Sequence, residues 1–385
     1  MHKAFPELFA NLDNIVSLPS VSSANTALDM SNGPVIDYLA TCFEDLGFQC
    51  EVMSCASHSG KPKANLVATL GTGPGGLVLA GHTDTVPIDA ELWSVNPFRL
   101  TEKDGRLYGL GTTDMKGFFP LVMEAVKSVK GQNLREPLII LATADEESSM
   151  EGARSVVQQG YPKARRAIIG EPTGLLPVRA HKGIMMESIR LLGQSGHSSD
   201  PALGRNALDV MHHVIAELMV FRQELREKYS NPLFRISYPT LNLGCIHGGD
   251  NPNRICGHCN LDIDIRITPE MNIDETREML RNRIYPIAEK YGVQAEVAPL
   301  FAGAPAFMAA TNSPLLTMLE KLTGQQGIAV GFGTEGPFLQ ELGMDTIIFG
   351  PGNIDQAHQP DEYMSLDMVQ PCIDYLQKII KMSCL

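Results

Sequence analysis

The run Gly76-Leu77-Val78-Leu79-Ala80-Gly81 is followed at once by His82-Thr83-Asp84. Six residues without a polar side chain suit a short strand buried on both faces. Leu138-Ile139-Ile140-Leu141-Ala142 and Ala167-Ile168-Ile169-Gly170 repeat the pattern, and Phe118 to Val129 between them has helical spacing. Strands that alternate with helices predict an α/β sheet with parallel crossovers. In such sheets ligands bind at the strand ends, so the polar residues after each run carry the functional question.

Phe5 to Leu18 and Pro34 to Leu46 read as helices, with Gly47 as the stop and Phe48 to Met53 as a strand. From about His181 the character changes. Ile184 to Leu192 alternates as a half-buried strand, Asn206 to Lys228 is helical, and alternating strands follow around Leu241 and Leu261. A helix, Ile273 to Tyr291, and a strand, Val293 to Pro299, complete a strand-helix-strand-strand-helix-strand order, the split βαβ of a small α+β domain. Thr346 to Phe349 and a helix from Met368 to Met382 return to the earlier style. The expectation is a discontinuous catalytic domain, 1–180 and 300–385, interrupted by an inserted domain, 181–299.

A chain of 385 residues exceeds the usual size of one hydrophobic core, in keeping with two domains. With 44% apolar and 19% charged residues it is an ordinary globular composition rather than a disordered one. The formal charge of −13, with no Lys/Arg block, argues against nucleic acid or an anionic membrane surface as partner. Small molecules and metal ions remain. His2, Lys3, Glu7 and Asp13 interrupt the apolar residues of the N-terminus, so it does not read as a signal peptide, and no stretch approaches the length of a membrane span. Eight cysteines in such a chain fit reduced thiols, which makes the cytoplasm the expected compartment.

Five polar clusters sit just beyond predicted strands: Gly81-His82-Thr83-Asp84, Gly111-Thr112-Thr113-Asp114, Asp145-Glu146-Glu147, Gly170-Glu171-Pro172-Thr173 and Gln356-Ala357-His358. Imidazole and carboxylate donors without thiolate suit zinc, manganese or cobalt in a hydrolytic site. Two His and several acids could hold two ions, which need a shared carboxylate to lie ~3.5–4 Å apart. One acid must stay unligated as base. Residues alone leave open which acid bridges.

The motifs His82-Thr-Asp-Thr-Val-Pro, Gly111-Thr-Thr-Asp114-Met-Lys-Gly, Thr143-Ala-Asp-Glu146-Glu147, Gly170-Glu171-Pro-Thr and Gly193-Gln-Ser-Gly-His197 resemble, in matching order, the M20 family of metallopeptidases and deacylases. The resemblance runs essentially end to end. It implies a zinc-exopeptidase-like catalytic domain with an inserted ferredoxin-like lid and dimerisation domain. It also implies two Zn2+ per subunit, with Co2+ able to substitute: His82, Asp114 and Glu171 would hold one, and Asp114, Glu147 and His358 the other. Asp84 would orient His82 through its distal nitrogen. Glu146 would be the general base that drives attack by a water bridging the metals and passes the proton to the departing amine. His197 would reach the active site of a partner subunit and stabilise the oxyanion, which implies a homodimer.

Each cluster alone is weak. A lone acidic triplet such as 145–147 is ordinarily a solvated helix start, and His197 could be a helix-entry residue beside Ser198 and Ser199. All five clusters in order carry the metal reading. Cys245-x-His247 with Cys256-x-His258-Cys259 lacks the paired Cys-x₂-Cys of a zinc ribbon and reads as strand residues. Gly71-x-Gly73-x-x-Gly76 precedes its strand rather than following it, so it reads as a turn. His212-His213 lies in a helix among apolar neighbours.

Three stretches resemble one deacetylase branch of the family: Pro177-Val-Arg179-Ala-His181-Lys182-Gly183, His247-Gly-Gly-Asp250 with Asn253-Arg254-Ile255-Cys256, and Gln356-Ala-His358-Gln-Pro-Asp-Glu362-Tyr363. The implied substrate is an N-acetylated amino acid with a carboxylate and a side-chain ammonium. Asn253, Arg254 and Thr334 are candidates to clamp the carboxylate, and Glu335 to receive the ammonium. The alternatives are a sister desuccinylase, a broad N-acyl-amino-acid hydrolase, and a catalytically idle metal-binding scaffold on the same fold.

Overall fold

A computed structural model describes residues 5–57 and 59–385; His2 and Lys3, which enter the reading of the N-terminus, lie outside the described residues. The chain divides into two compact units, Met1–Arg179 with Ala309–Ile328 and Thr334–Leu385, and Ala180–Met308 with Ala329–Gly333. The elements begin with α1 (Pro6–Val16), α2 (Gly33–Asp45), β1 (Gln49–Cys55), β2 (Lys63–Leu70), β3 (Leu77–His82), β4 (Thr101–Lys103), β5 (Arg106–Tyr108) and α3 (Phe118–Val126). Then come β6 (Leu138–Thr143), α4 (Glu151–Gln159), β7 (Arg166–Ile169) and β8 (Val178–His181). Next are β9 (Gly183–Leu192), α5 (Ala207–Lys228), β10 (Thr240–Gly248), β11 (His258–Ile267), α6 (Ile273–Lys290), β12 (Gln294–Pro299) and β13 (Phe307–Met308). The chain closes with α7 (Pro314–Thr323), β14 (Ile328–Val330), α8 (Gly336–Glu341), β15 (Asp345–Ile348), β16 (Tyr363–Ser365) and α9 (Val369–Cys384).

In the first unit the sheet runs β1-β2-β6-β3-β7-β15. Its centre is parallel, β3 pairing with β6 and β7, and β7 with β15; β1 and β2 add an antiparallel edge. Every residue of β3 and β6 is buried, which is why their sequences carry no alternation. Helices α3 and α9 pack on β3, α2 and α4 on β1 and β2, and α7 and α8 on β15. Gly47, at φ 94°, turns the chain out of α2 where the sequence places a stop. Gly71, Gly73 and Gly76 all have positive φ and form the turn into β3.

Strand β2 has no counterpart in the sequence reading. It carries Lys63 and Asn65 among its apolar residues, yet both are buried. The Asn65 side chain donates to Gly152 O at 2.8 Å and accepts Ala144 N–H at 3.0 Å, so it serves as an internal tie.

The second unit has the element order β9-α5-β10-β11-α6-β12 and the antiparallel sheet order β10-β11-β9-β12. That is the split βαβ, ferredoxin-like topology. Asn206 and Asn272 cap α5 and α6, each side-chain oxygen accepting two backbone N–H groups. The helices pack together over the sheet, with Leu191, Val214, Phe221, Leu261, Ile265 and Ile284 in their common core.

Candidate metal centre

Four adjacent parallel strands of the first unit, β6, β3, β7 and β15, each lead at the C-terminal end into a polar cluster. His82 closes β3, Asp145-Glu146-Glu147 follows β6, Glu171 follows β7, and the chain after β15 reaches His358. Asp114 arrives from the loop before α3. Because β3 and β6 are in register at His82 and Thr143, their two loops start side by side. Residues separated by more than 200 positions converge because the strands beneath them are neighbours.

Asp114 faces both imidazoles with different oxygens. Oδ1 lies 3.2 Å from Nε2 of His82, and Oδ2 lies 3.4 Å from Nε2 of His358. On the His82 side, Oε1 of Glu171 is 3.9 Å from the same Nε2; on the other, Oε1 of Glu147 is 2.9 Å from Nε2 of His358. The ligand-capable atoms of His82, Asp114 and Glu147 all lie within 4.8 Å of one another.

The turn at 145–147 is built to aim two acids. Asp145 is left-handed, at φ 57°, and the next two N–H groups point at the Asp84 carboxylate, Glu146 at 3.2 Å and Glu147 at 3.0 Å. The distal nitrogen of His82 meets the Asp84 main-chain carbonyl at 3.0 Å, with the nearest carboxylate oxygen 3.7 Å away. Behind the turn, Lys63 Nζ donates to Asp145 at 2.6 Å and to Asp29 at 2.9 Å, and all three side chains are buried.

Electrostatically the cluster has too many acids for its cations. Burial, then the charge of Glu171, lifts Glu146 well above the ordinary carboxyl value, and burial and Asp114 do the same to Glu171. Burial works to raise Asp114 as well, but hydrogen bonds to His358 and His82 outweigh it and hold Asp114 below the usual range. Hydrogen bonds to Asp114 and Glu147 push His358 up to about 10. Among the described residues, Oε1 of Glu171 is buried without a hydrogen-bond partner. Buried acids so crowded call for positive charge, and nitrogen and oxygen donors with no thiolate fit ions of the zinc type.

Glu335 also belongs to the first unit, just before α8. It is 1% exposed, neither oxygen accepts a well-formed hydrogen bond among the described residues, and burial pushes its carboxyl up to about 7 against an opposing contact from Thr143. Thr334 is buried too, its hydroxyl accepting Gly336 N–H at 3.0 Å, which makes it a helix-entry residue. His197, Asn253 and Arg254 lie together in the second unit: His197 pairs with Arg254 in a β-bridge, and Ser198 N–H donates to Asn253 O at 3.1 Å. Arg254 forms an exposed ion pair with Asp250.

Cys256 and Cys259 sit in the second unit's core, as small apolar side chains do, and Cys245 bonds His247 at 2.9 Å on exposed β10. His213 stacks on Tyr291, ring centroids 4.5 Å apart. Sequence reasoning gave no role to Lys63, Asp29, Lys116 or Glu362. The last two stand inside quoted motifs, and that position was the available signal. The 114–115 peptide is cis, which no residue pattern discloses.

Residues 78–382 match Peptidase family M20/M25/M40. Over 382 residues the chain is 45% identical to the acetylornithine deacetylase of Pasteurella multocida (strain Pm70), covering 99% of each. Among solved structures it resembles a tripeptidase from Staphylococcus aureus at 20% identity and TM-score 0.78, covering 98% of both chains. It also resembles a dinuclear metal binding peptidase of the M20 family from Bacillus subtilis at 14% identity and TM-score 0.68, covering 99% of both. These two likenesses speak for the fold alone, whereas the profile match and the full-length identity reach further: the chain belongs to peptidase family M20/M25/M40.

Proposed function

We propose that the protein is a metal-dependent amide hydrolase that removes the acetyl group from N2-acetyl-L-ornithine, giving L-ornithine and acetate, a step of arginine biosynthesis. The observation that carries the reading is Asp114, whose two oxygens face two different imidazoles across one buried acidic cluster. With it, His82, Asp114 and Glu171 would hold one ion, and Asp114, Glu147 and His358 the other. Zinc is the proposed metal, and cobalt shares its donor preferences. The ions, when bound, acidify the attacking water and stabilise the oxyanion that develops on the amide.

The protein's own residues supply the remaining steps. Glu146 feels the charges of Glu171, His82 and Glu147, and its raised affinity for a proton suits a base that accepts one from water and returns it to the departing amine. Asp84 holds the Glu146-Glu147 turn through two N–H bonds, which fixes where that base points. Glu335, buried and poorly satisfied, is the proposed receptor for the side-chain ammonium; Asn253, Arg254 and Thr334 are the proposed carboxylate contacts. Residues 1–180 and 300–385 form the catalytic domain and 181–299 a lid that also dimerises, with His197 delivered to the partner subunit's site to hydrogen-bond the oxyanion. The cytoplasm, where eight free thiols stay reduced, is the proposed compartment.

Parallel assays of acetate and succinate release, from N2-acetyl-L-ornithine and from succinyl-diaminopimelate, test the reading. Chelator-sensitive release of acetate alone supports it; succinate release moves the enzyme to the sister reaction, and silence on both overturns it. Glu146→Ala should cost roughly 10²–10⁴-fold in kcat while metal content stays unchanged. Retained turnover would remove the base.

A further inference from the structure

Glu362 lies four residues beyond His358 in sequence and about 250 from the loop that carries Asp114. Its side chain is 2% exposed. One carboxylate oxygen accepts the N–H groups of Thr113 at 2.8 Å and Asp114 at 3.0 Å, and the other accepts Gly111 N–H at 3.1 Å. The main chain beside it adds two more links between the same loops: Gly109 N–H donates to Glu362 O at 3.0 Å, and the Thr113 hydroxyl donates to Tyr363 O at 2.5 Å. Strand β16 then pairs with β5, Tyr363 opposite Tyr108, and extends the junction.

We infer that Glu362 is a positioning residue for the metal centre: its buried carboxylate staples the loop bearing His358 to the loop bearing Asp114, and so sets the distance between two ligands that share an ion. The inference rests on the ligand assignment proposed above. Three donors converging on two oxygens require a carboxylate. A glutamine offers one oxygen, and its NH₂ group would confront an N–H donor. A buried acid next to the acidic cluster is unfavourable, and the three backbone N–H groups oppose that cost without cancelling it: burial and the Asp114 charge push the Glu362 carboxyl up to about 8. The hydroxyl of Thr113 repeats the link at a neighbouring point, so it should contribute in the same direction and by less.

The test compares wild type, Glu362→Gln and Thr113→Val as full-length proteins. It measures the zinc dissociation constant by chelator competition, the visible spectrum of the cobalt-loaded forms, and urea unfolding after chelation. Glu362→Gln should bind zinc about 10–100-fold more weakly, with an altered cobalt spectrum. Thr113→Val should show a smaller loss. A residue that served only general stability would shift the urea midpoint and leave zinc affinity and the cobalt bands where they were; that result overturns the inference. Should Glu362→Gln fail to fold, Thr113→Val decides: weakened zinc binding supports the staple and unchanged binding removes it. A wild type that binds no zinc would instead sink the metal centre itself, and His358→Ala, expected to lose zinc, separates the two failures.

Discussion

Replacing Lys63 with Met removes a cation that faces two buried acids. Lys63 Nζ lies 2.6 Å from Asp145 and 2.9 Å from Asp29, and the three residues are 3%, 1% and 3% exposed respectively. Breaking a buried pair leaves an uncompensated charge and costs about 3–5 kcal/mol. At roughly 2–4 °C per kcal/mol for a unit of this size, the melting temperature should fall by roughly 6–20 °C at pH 7. The sign with pH follows from Asp29. Burial raises its carboxyl, but hydrogen bonds from Ser59 and Lys63 outweigh burial and leave it below the ordinary value of 3.8. A depressed carboxyl stabilises above its unfolded pKa and loses that contribution as pH falls through the folded value. The gap between wild type and Lys63→Met should therefore be full near neutrality and shrink below pH 4.

Activity should fall as well, because Asp145 anchors the left-handed turn that aims Glu146 and Glu147; a displacement near 1 Å costs on the order of 10²-fold. Thermal melts across pH and kcat at neutral pH are the assays, with Lys63→Met/Asp29→Asn as the internal control. Removing one stranded acid should restore part of the stability, a non-additive result. A Lys63→Met protein within 1 kcal/mol of wild type at pH 7, with no pH trend, would refute the reasoning.

Glu335→Gln should raise KM for N2-acetyl-L-ornithine more than for N-acetylmethionine, since only the first carries the ammonium; equal effects on both would end that assignment. Chelation of the zinc-loaded protein should lower its melting temperature, because ligand at about 100 times its Kd contributes ~2.7 kcal/mol, and added zinc should restore it. Stripping should become easier as pH falls, since protons compete for His82 and His358; a melt indifferent to chelator at every pH would speak against a filled centre.

Much of the fold was legible because its central strands are buried on both faces, a condition that writes itself into sequence as unbroken apolar runs at 77–81, 138–142 and 167–169. The inserted unit was legible through its alternating strands and the helical spacing of the two segments between them. Strand β2 was not, because Lys63 and Asn65 look like surface residues until their buried partners are known. Likewise, the sequence supplied the list of acids and imidazoles but assigned roles only through resemblance. Only the tertiary structure set His82 and His358 on opposite oxygens of one aspartate, brought the 145–147 turn onto the Asp84 carboxylate, and put Glu362 under Asp114. Residue type and local period are properties of neighbours along the chain, whereas these contacts join positions up to 251 residues apart, brought together by strand order and loop direction.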